Sequence, residues 1–458
     1  MIKYIIFLFL ISISLIHAQS VSTDSLQTNS AVKCSNPKNF KLAASEAIGI
    51  NLGVWSVDNY IAKAEWANIS IKSVKHNLQS GFVFDDSDFL MNQFLHPYHG
   101  NLYFNSARSN GFNFWESTPF SLAGSFMWEM FMEIEEPSNN DLITTTMGGI
   151  MLGEITWRVS SLILDDSATG SERTWREIGA GVINPIRGIN RLFQGRTKTK
   201  SRFHNQQRED VLAEISLGGN TVGEGMNIFQ GKESPLLKAQ LVYGTPFKNE
   251  KRKPFDYFNL HLGINLKGVD TITNFYGDAL LWGSNFNFQG NTGEMAQDNL
   301  FGAFQHFDYL ANDVYKIAAS GVGGGVISRF SAYEGMNLFT SCHVSAIIMG
   351  GSNSVYAQQA HRDYNLGPGY SSKFEGWLIN EKYGEMYVGY LRYWLYTLSG
   401  ADGTEAIEIS NYRVDTPISK HFKLGLEYLY YLRNGKYDNY KDVVAKNNEL
   451  RSFISYRF

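Results

Sequence analysis

From about Val211 to the last residue, apolar and polar side chains alternate with a period of two. Phe258, Leu260, Leu262, Ile264 and Leu266 hold one parity, while Tyr257, Asn259, His261, Gly263, Asn265 and Lys267 hold the other. Phe422, Leu424, Leu426, Tyr428 and Tyr430 repeat the pattern, as do Leu338, Thr340, Cys342, Val344, Ala346 and Ile348. A repeat of two is that of an extended strand, which shows successive side chains to opposite faces. Turn signals separate the runs at Lys248-Asn249-Glu250, Asn291-Thr292-Gly293, Gly400-Ala401-Asp402-Gly403 and Arg433-Asn434-Gly435. The runs number roughly ten to twelve, with weaker ones near Thr271 to Phe286 and Tyr315 to Phe330.

A soluble sandwich and a membrane barrel both put one apolar face on each strand, so period alone does not choose between them. Strand length and composition favour the barrel. Runs of roughly ten residues in hairpin succession match the length needed to cross a bilayer. The chain has 31 Phe, 25 Tyr and 43 Gly but only 10 Pro, and its mean hydropathy is −0.23. Many aromatics without long apolar runs suit a barrel, where every second residue faces lipid. Leu450, Ser452, Ile454, Tyr456 and Phe458 share the last face, and a terminal Phe on such a strand resembles the signal that the barrel-insertion machinery reads. Cys342 then falls on a lipid-facing position and Cys34 in a loose leader, so no disulfide is expected. A formal charge of −4 gives no basic surface for nucleic acid.

The first residues are those of a secretory signal: Lys3, an apolar run from Tyr4 to Ile16, and Ala18 as the exit residue. A polar leader runs over 19–39. From 40 to 200 the period becomes helical. Thr118-Pro119 predicts a helix start, with a run from Phe120 to Glu135 closed by Pro137. Asp85 to Asp88 predict a cap on a helix ending at His96, before Pro97. Asp141 opens a helix to about Leu164, in which Gly149 and Gly153 permit close contact and Glu154 pairs with Arg158. A further helix is expected from about Thr174 to Phe193, followed by the basic stretch Arg196 to Arg202.

Chemistry concentrates in this helical part. His96 and His99 bracket Pro97, whose fixed backbone can present both imidazoles to one side. Arg108 and Gly111 follow. Glu129 and Glu133 lie four apart on an apolar helix, where like charges are unfavourable unless compensated, and Asp141 adds a third carboxylate. No Lys or Arg occurs between Arg108 and Arg158, so compensation must come from elsewhere in space. Three readings fit the set His96, His99, Arg108, Glu129, Glu133 and Asp141: a catalytic acid–base centre, a divalent metal on His96, His99, Glu129 and Glu133, or a buried polar network tying helices together. The chain has no Gly-rich phosphate loop, no GxSxG elbow and no CxxC pair.

These blocks carry a likeness. Asn51 to Trp55, Asn92 to Gly100 with its His-Pro-Tyr-His-Gly, Ala107 to Gly111, Gly124 to Glu129, Asn140 to Ile143 and Asn184 to Gly188 resemble a family of unknown function from Gram-negative envelopes. The resemblance spans roughly 48–195 and implies an envelope context without an assigned activity. The expected architecture is therefore α+β: a signal peptide (1–18), a leader (19–39), a helical module (40–200) and an antiparallel transmembrane barrel of roughly twelve strands (205–458). It would reside in the outer membrane in contact with lipid, with the module periplasmic or inside the barrel. Its role would be envelope maintenance or transport, the alternative being a hydrolase acting on lipid or cell-wall material. The sequence leaves substrate and oligomeric state open.

Overall fold

The computed structural model describes residues 37–198, 209–224, 231–247, 252–265, 272–286, 296–312, 314–331, 335–356, 363–380 and 382–458. The signal peptide, Cys34, the turns at 248–250 and 291–293 and the basic residues from Lys200 onward lie outside them. The chain divides into two compact units, one of residues 1–85 and 90–208, the other of 86–89 and 209–458.

The first unit is helical: α1 (Phe40–Ser56), α2 (Ile71–Asn77), α3 (His96–Ser109), α4 (Phe114–Phe131), α5 (Asn139–Ile163), α6 (Gly170–Ile183) and α7 (Pro185–Phe193). Several expected boundaries move. Residues 91–95 form a π-turn that runs straight into α3, so Pro97 opens a helix instead of closing one. Proline has no N–H to lose in a first turn, and His96 and His99 do share that turn. The helix holding Pro119 begins earlier, at Phe114, because Asn113 and Glu116 form a reciprocal cap. Pro119 is therefore interior. It cannot donate to the Trp115 carbonyl, and the Thr118 hydroxyl does so at 2.9 Å. The same helix stops at Phe131, not at Glu135, because the Asn77 side-chain amide takes the open carbonyls of Glu129 (3.3 Å) and Glu133 (3.0 Å). The segment expected as one helix over 174–193 is two, broken at Asn184-Pro185.

At the centre of the unit α3 and α5 run in the same direction with almost nothing between them. A Cβ at Gly100 would stand 1.9 Å from the Thr145 carbonyl oxygen, and one at Gly149 would stand 2.5 Å from the Gly100 backbone. One turn on, Gly153 leaves room for the Phe104 ring. The close contact expected at Gly149 and Gly153 is thus present, and it fixes the height at which His96 meets Asp141.

The second unit is a closed antiparallel barrel: β1 (Val211–Glu224), β2 (Lys232–Tyr243), β3 (Phe258–Asn265), β4 (Ile272–Phe286), β5 (Ala296–Ala311), β6 (Lys316–Ser331), β7 (Met336–Asn353), β8 (Tyr364–Asn380), β9 (Gly384–Tyr396), β10 (Gly403–Pro417), β11 (Phe422–Tyr437) and β12 (Val443–Arg457). Each strand pairs with its sequence neighbours, and β12 returns to β1 with Leu217 opposite Ile454. The two weaker runs prove to be full strands, β4 and β6, of 15 and 16 residues. Gly400 and Gly403 make the expected turn with positive φ. The turn expected at Arg433-Asn434-Gly435 is instead strand interior. A Cβ on Gly435 would meet the Glu405 carboxylate at 3.0 Å, so this glycine makes space and does not bend the chain.

The burial pattern of the barrel is inverted relative to a water-soluble protein. Leu217, Val344, Phe374, Val388, Leu424, Leu426 and Ile454 are exposed on the outer wall, whereas Glu214, Asp308, Lys373, Arg413, Glu427 and Arg451 are buried. Cys342 is exposed and His343 buried, as their parity predicts. The inner face is not purely polar. Ile407 and Ile409 share it with Glu405 and pack with Tyr393, Leu395, Leu429 and Tyr431.

Candidate functional site

The site lies wholly in the helical unit, where the end of α4 and the start of α5 face the start of α3. Ser138 caps α5 by accepting from the Asp141 backbone N–H at 3.1 Å, and its own N–H donates to Glu129 Oε2 at 2.8 Å. The turn after α4 returns Glu133 toward the helix, so that Trp128 Nε1 donates to its carboxylate. His96 Nε2 stands 3.7 Å from Asp141 Oδ2. His96, Glu129, Glu133 and Asp141 are therefore brought together, as their residue types suggested.

A fourth carboxylate joins them. Asp85, which the sequence offered only as part of a cap, accepts from Asn92 (2.7 Å) and Asn140 (2.5 Å). A hydrogen bond between the Asp141 and Asp85 side chains favours the protonated form of Asp141. Only the cluster of aspartates at 85–88 and the paired asparagines could have indicated this.

Glu129 is 2 % and Asp141 4 % exposed. Burial, then the neighbouring acids Asp141 and Glu133, push the Glu129 carboxyl well above its usual range. Burial, then Asp85, does the same to Asp141. Glu133 is pushed up to about 7 by burial, with His96 opposing the shift. Burial lowers His96 despite the pull of Glu133 and Asp85. Glu129, Glu133 and Asp141 are all shifted toward their protonated forms, so the compensation that the charge pattern required comes from bound protons. One oxygen of Glu129 has no hydrogen-bond partner among the described residues.

His99 stands beside this pocket in an aromatic setting. Its ring packs on Tyr103 (4.7 Å) and edge-on to Trp128 (4.9 Å), and burial lowers it to about 3. Tyr103 donates to Asn51, which leaves His99 Nε2 to donate to the phenol oxygen at 2.9 Å. Arg108 is not part of the centre. Its guanidinium forks onto Glu154 at 2.7 and 2.8 Å, and Glu154 also receives Arg158 at 2.9 Å. Among the described residues no three His, Cys, Asp or Glu side chains are gathered as a metal ion would need. What the pocket can do as built is hold protons on its carboxyls beside His96.

Residues 81–186 match a domain of unknown function, DUF3943. That stretch contains all four carboxylates, both histidines and the Gly100–Gly149 crossing. A search of the curated proteins gives no match. Among solved structures the barrel half is similar to outer membrane phospholipase A from Escherichia coli, at 8% identity and a TM-score of 0.29 over 53% of this chain and 92% of that one. It is also similar to the outer membrane channel DcaP of Acinetobacter baumannii (10%, TM-score 0.25, 54% and 96%) and to OmpT of Vibrio cholerae (9%, TM-score 0.22, 54% and 97%).

Proposed function

We propose that this chain is an outer-membrane protein whose barrel is a sealed anchor, serving envelope maintenance and not solute conduction. The inverted burial of the barrel carries the reading. A wall of exposed Leu, Val, Ile and Phe around a charged interior is stable where the surroundings are hydrocarbon. The interior is tied shut by pairs between strands that are not neighbours. Lys373 on β8 reaches Asp278 on β4 and Asp308 on β5, each at 2.7 Å, and Lys238 on β2 reaches Glu427 on β11 at 2.5 Å. A closed barrel leaves no unpaired strand edge in lipid. The signal-like run from Lys3 to Ala18 supports export. Purified protein should migrate differently boiled and unboiled, and should show no open-channel conductance in planar bilayers. A steady conductance of porin size would overturn the sealed reading.

A second reading, an envelope hydrolase acting on lipid or cell-wall material, draws on one observation. His96 stands 3.7 Å from Asp141 in a group of carboxyls of which Glu133 is pushed up to about 7 by burial, the kind of setting that general acid–base chemistry uses. On that reading His96→Ala and Glu133→Gln abolish function while the barrel still inserts. Full activity in both variants would remove it.

A further inference from the structure

We infer that the barrel interior holds a binding site for a small organic cation, an ammonium or guanidinium group, centred on Glu375. The inference needs only the barrel fold and is independent of the role of the helical unit. A cavity of about 80 Å³ lies inside the barrel, lined among others by Glu375, Trp377, Tyr387 and Asn411. That is room for roughly five to eight waters, or for one small organic ion.

The wall of this cavity carries charges of both signs, and nearly all are already matched. Lys238 is held by Glu427, and Lys373 by Asp278 and Asp308. Arg413 is held by Glu214 at 2.6 Å and Asp415 at 2.7 Å, and Arg451 by Glu449 at 2.7 Å. Glu375 is the exception. Among the described residues its carboxylate has only hydroxyl partners, Tyr387 at 2.9 Å and Ser341 at 3.2 Å, and no cation within ion-pair distance. Two neutral donors leave a half-buried carboxylate with unused acceptor positions and an uncompensated charge, which a bound cation would supply.

Two further features select the ligand. Asn411 Oδ1 lines the cavity, is buried and has no partner among the described residues, while its Nδ2 donates to Glu427 at 2.9 Å. A second empty acceptor calls for a ligand with several N–H donors. The Trp377 and Tyr387 rings stand 4.3 Å apart at an angle of 43°, beside the carboxylate. Aromatic faces next to an anionic group favour ammonium and guanidinium over neutral or anionic solutes. Arg413 already approaches the Trp377 ring at 5.7 Å, so the ring serves a cation on one side.

The test is calorimetric titration of full-length folded protein in detergent with methylammonium, ethylammonium and methylguanidinium chlorides, with sodium acetate as the anionic control. The cations should bind saturably and acetate should not. Glu375→Gln should weaken binding about tenfold or more, because it removes the charge and keeps the shape. Asn411→Leu should weaken it by a smaller factor, and both variants should keep the gel shift of the folded barrel. The proposal is overturned if no cation binds saturably, if acetate binds as well, or if folded Glu375→Gln binds like the parent. Should Glu375→Gln fail to fold, unchanged affinity in Asn411→Leu and Trp377→Leu overturns it instead.

Discussion

The barrel interior and the acid pocket of the helical unit bury ionisable groups in opposite ways. The barrel interior sets carboxylates against Lys and Arg at 2.5 to 2.9 Å, as in Lys238–Glu427 and Arg433–Glu405. The helical unit gathers Asp85, Glu129, Glu133 and Asp141 with a single neutral imidazole among them. The first arrangement satisfies charge with charge. The second satisfies it with protons and is therefore sensitive to pH. A buried acid is thus no guide to function until its partner is known.

The contrast can be broken from either side. The largest effect is expected in the barrel. Lys373→Met leaves Asp278 and Asp308 facing one another without their shared cation, which should cost about 3–5 kcal/mol. The readout is the temperature at which unboiled protein loses its compact gel mobility, and an unchanged temperature would mean that water or another group replaces the lysine.

Next comes the pH response of the helical unit. Glu133 is held near 7 in the folded chain against 4.5 unfolded, so folding takes up a proton between those values. Its stabilising contribution is complete below 4.5 and is lost as pH rises to 7, by about 3 kcal/mol. His99, lowered to about 3, acts in the other direction, and its contribution is lost as pH falls below 6.5. In Glu133→Gln the loss of stability between pH 4.5 and 7 should shrink, the remaining loss coming from Glu129 and Asp141 and opposed by His99. Tryptophan fluorescence melts of the full-length protein across that range measure it, and identical slopes in parent and variant would contradict the shift.

Gly149→Ala tests the scaffold that holds the pocket. A methyl group placed 2.5 Å from the Gly100 backbone must push α3 and α5 apart, for about 1–3 kcal/mol. The same melts report it, and the barrel's gel shift should not move. The smallest effect is Glu129→Gln. Because Glu129 is already held neutral, an amide of the same shape should change stability by less than about 1 kcal/mol at neutral pH. Glu427→Gln in the barrel removes a charge that Lys238 and Arg451 both use, and should cost several times more. Equal costs at the two positions would erase the distinction between the units.

Strand parity made most of the barrel readable from sequence, since one face of each strand must be uniform when lipid lies outside. It misread 433–435 because a glycine that clears space for Glu405 looks the same in sequence as one that bends a turn. It also could not show Ile407 and Ile409 facing inward, because apolar residues on a barrel strand are read as facing lipid. In the helical unit the acids and His96 were visible as a local excess of unpaired charge. Asp85 was missed because it is brought in by Asn140, a contact across 55 residues. Arg108 was wrongly grouped with the site because its partner Glu154 had already been given to Arg158 at helical spacing. The helix boundary at Pro97 turned on the π-turn over 91–95, and that at Pro119 on the reciprocal cap of Asn113 and Glu116, neither of which a propensity argument sees.

The seam between β1 and β12 has a kinetic consequence. Glu214 on β1 receives Arg413 from β10 and Arg457 from β12, the latter across 243 residues of chain. Such contacts form only after nearly every hairpin is in place, so a partly assembled barrel carries this carboxylate buried without its partners. Closure should then be a late, slow and all-or-none event. A chain interrupted before β10 would be left with an acidic first strand that has nothing to hold it.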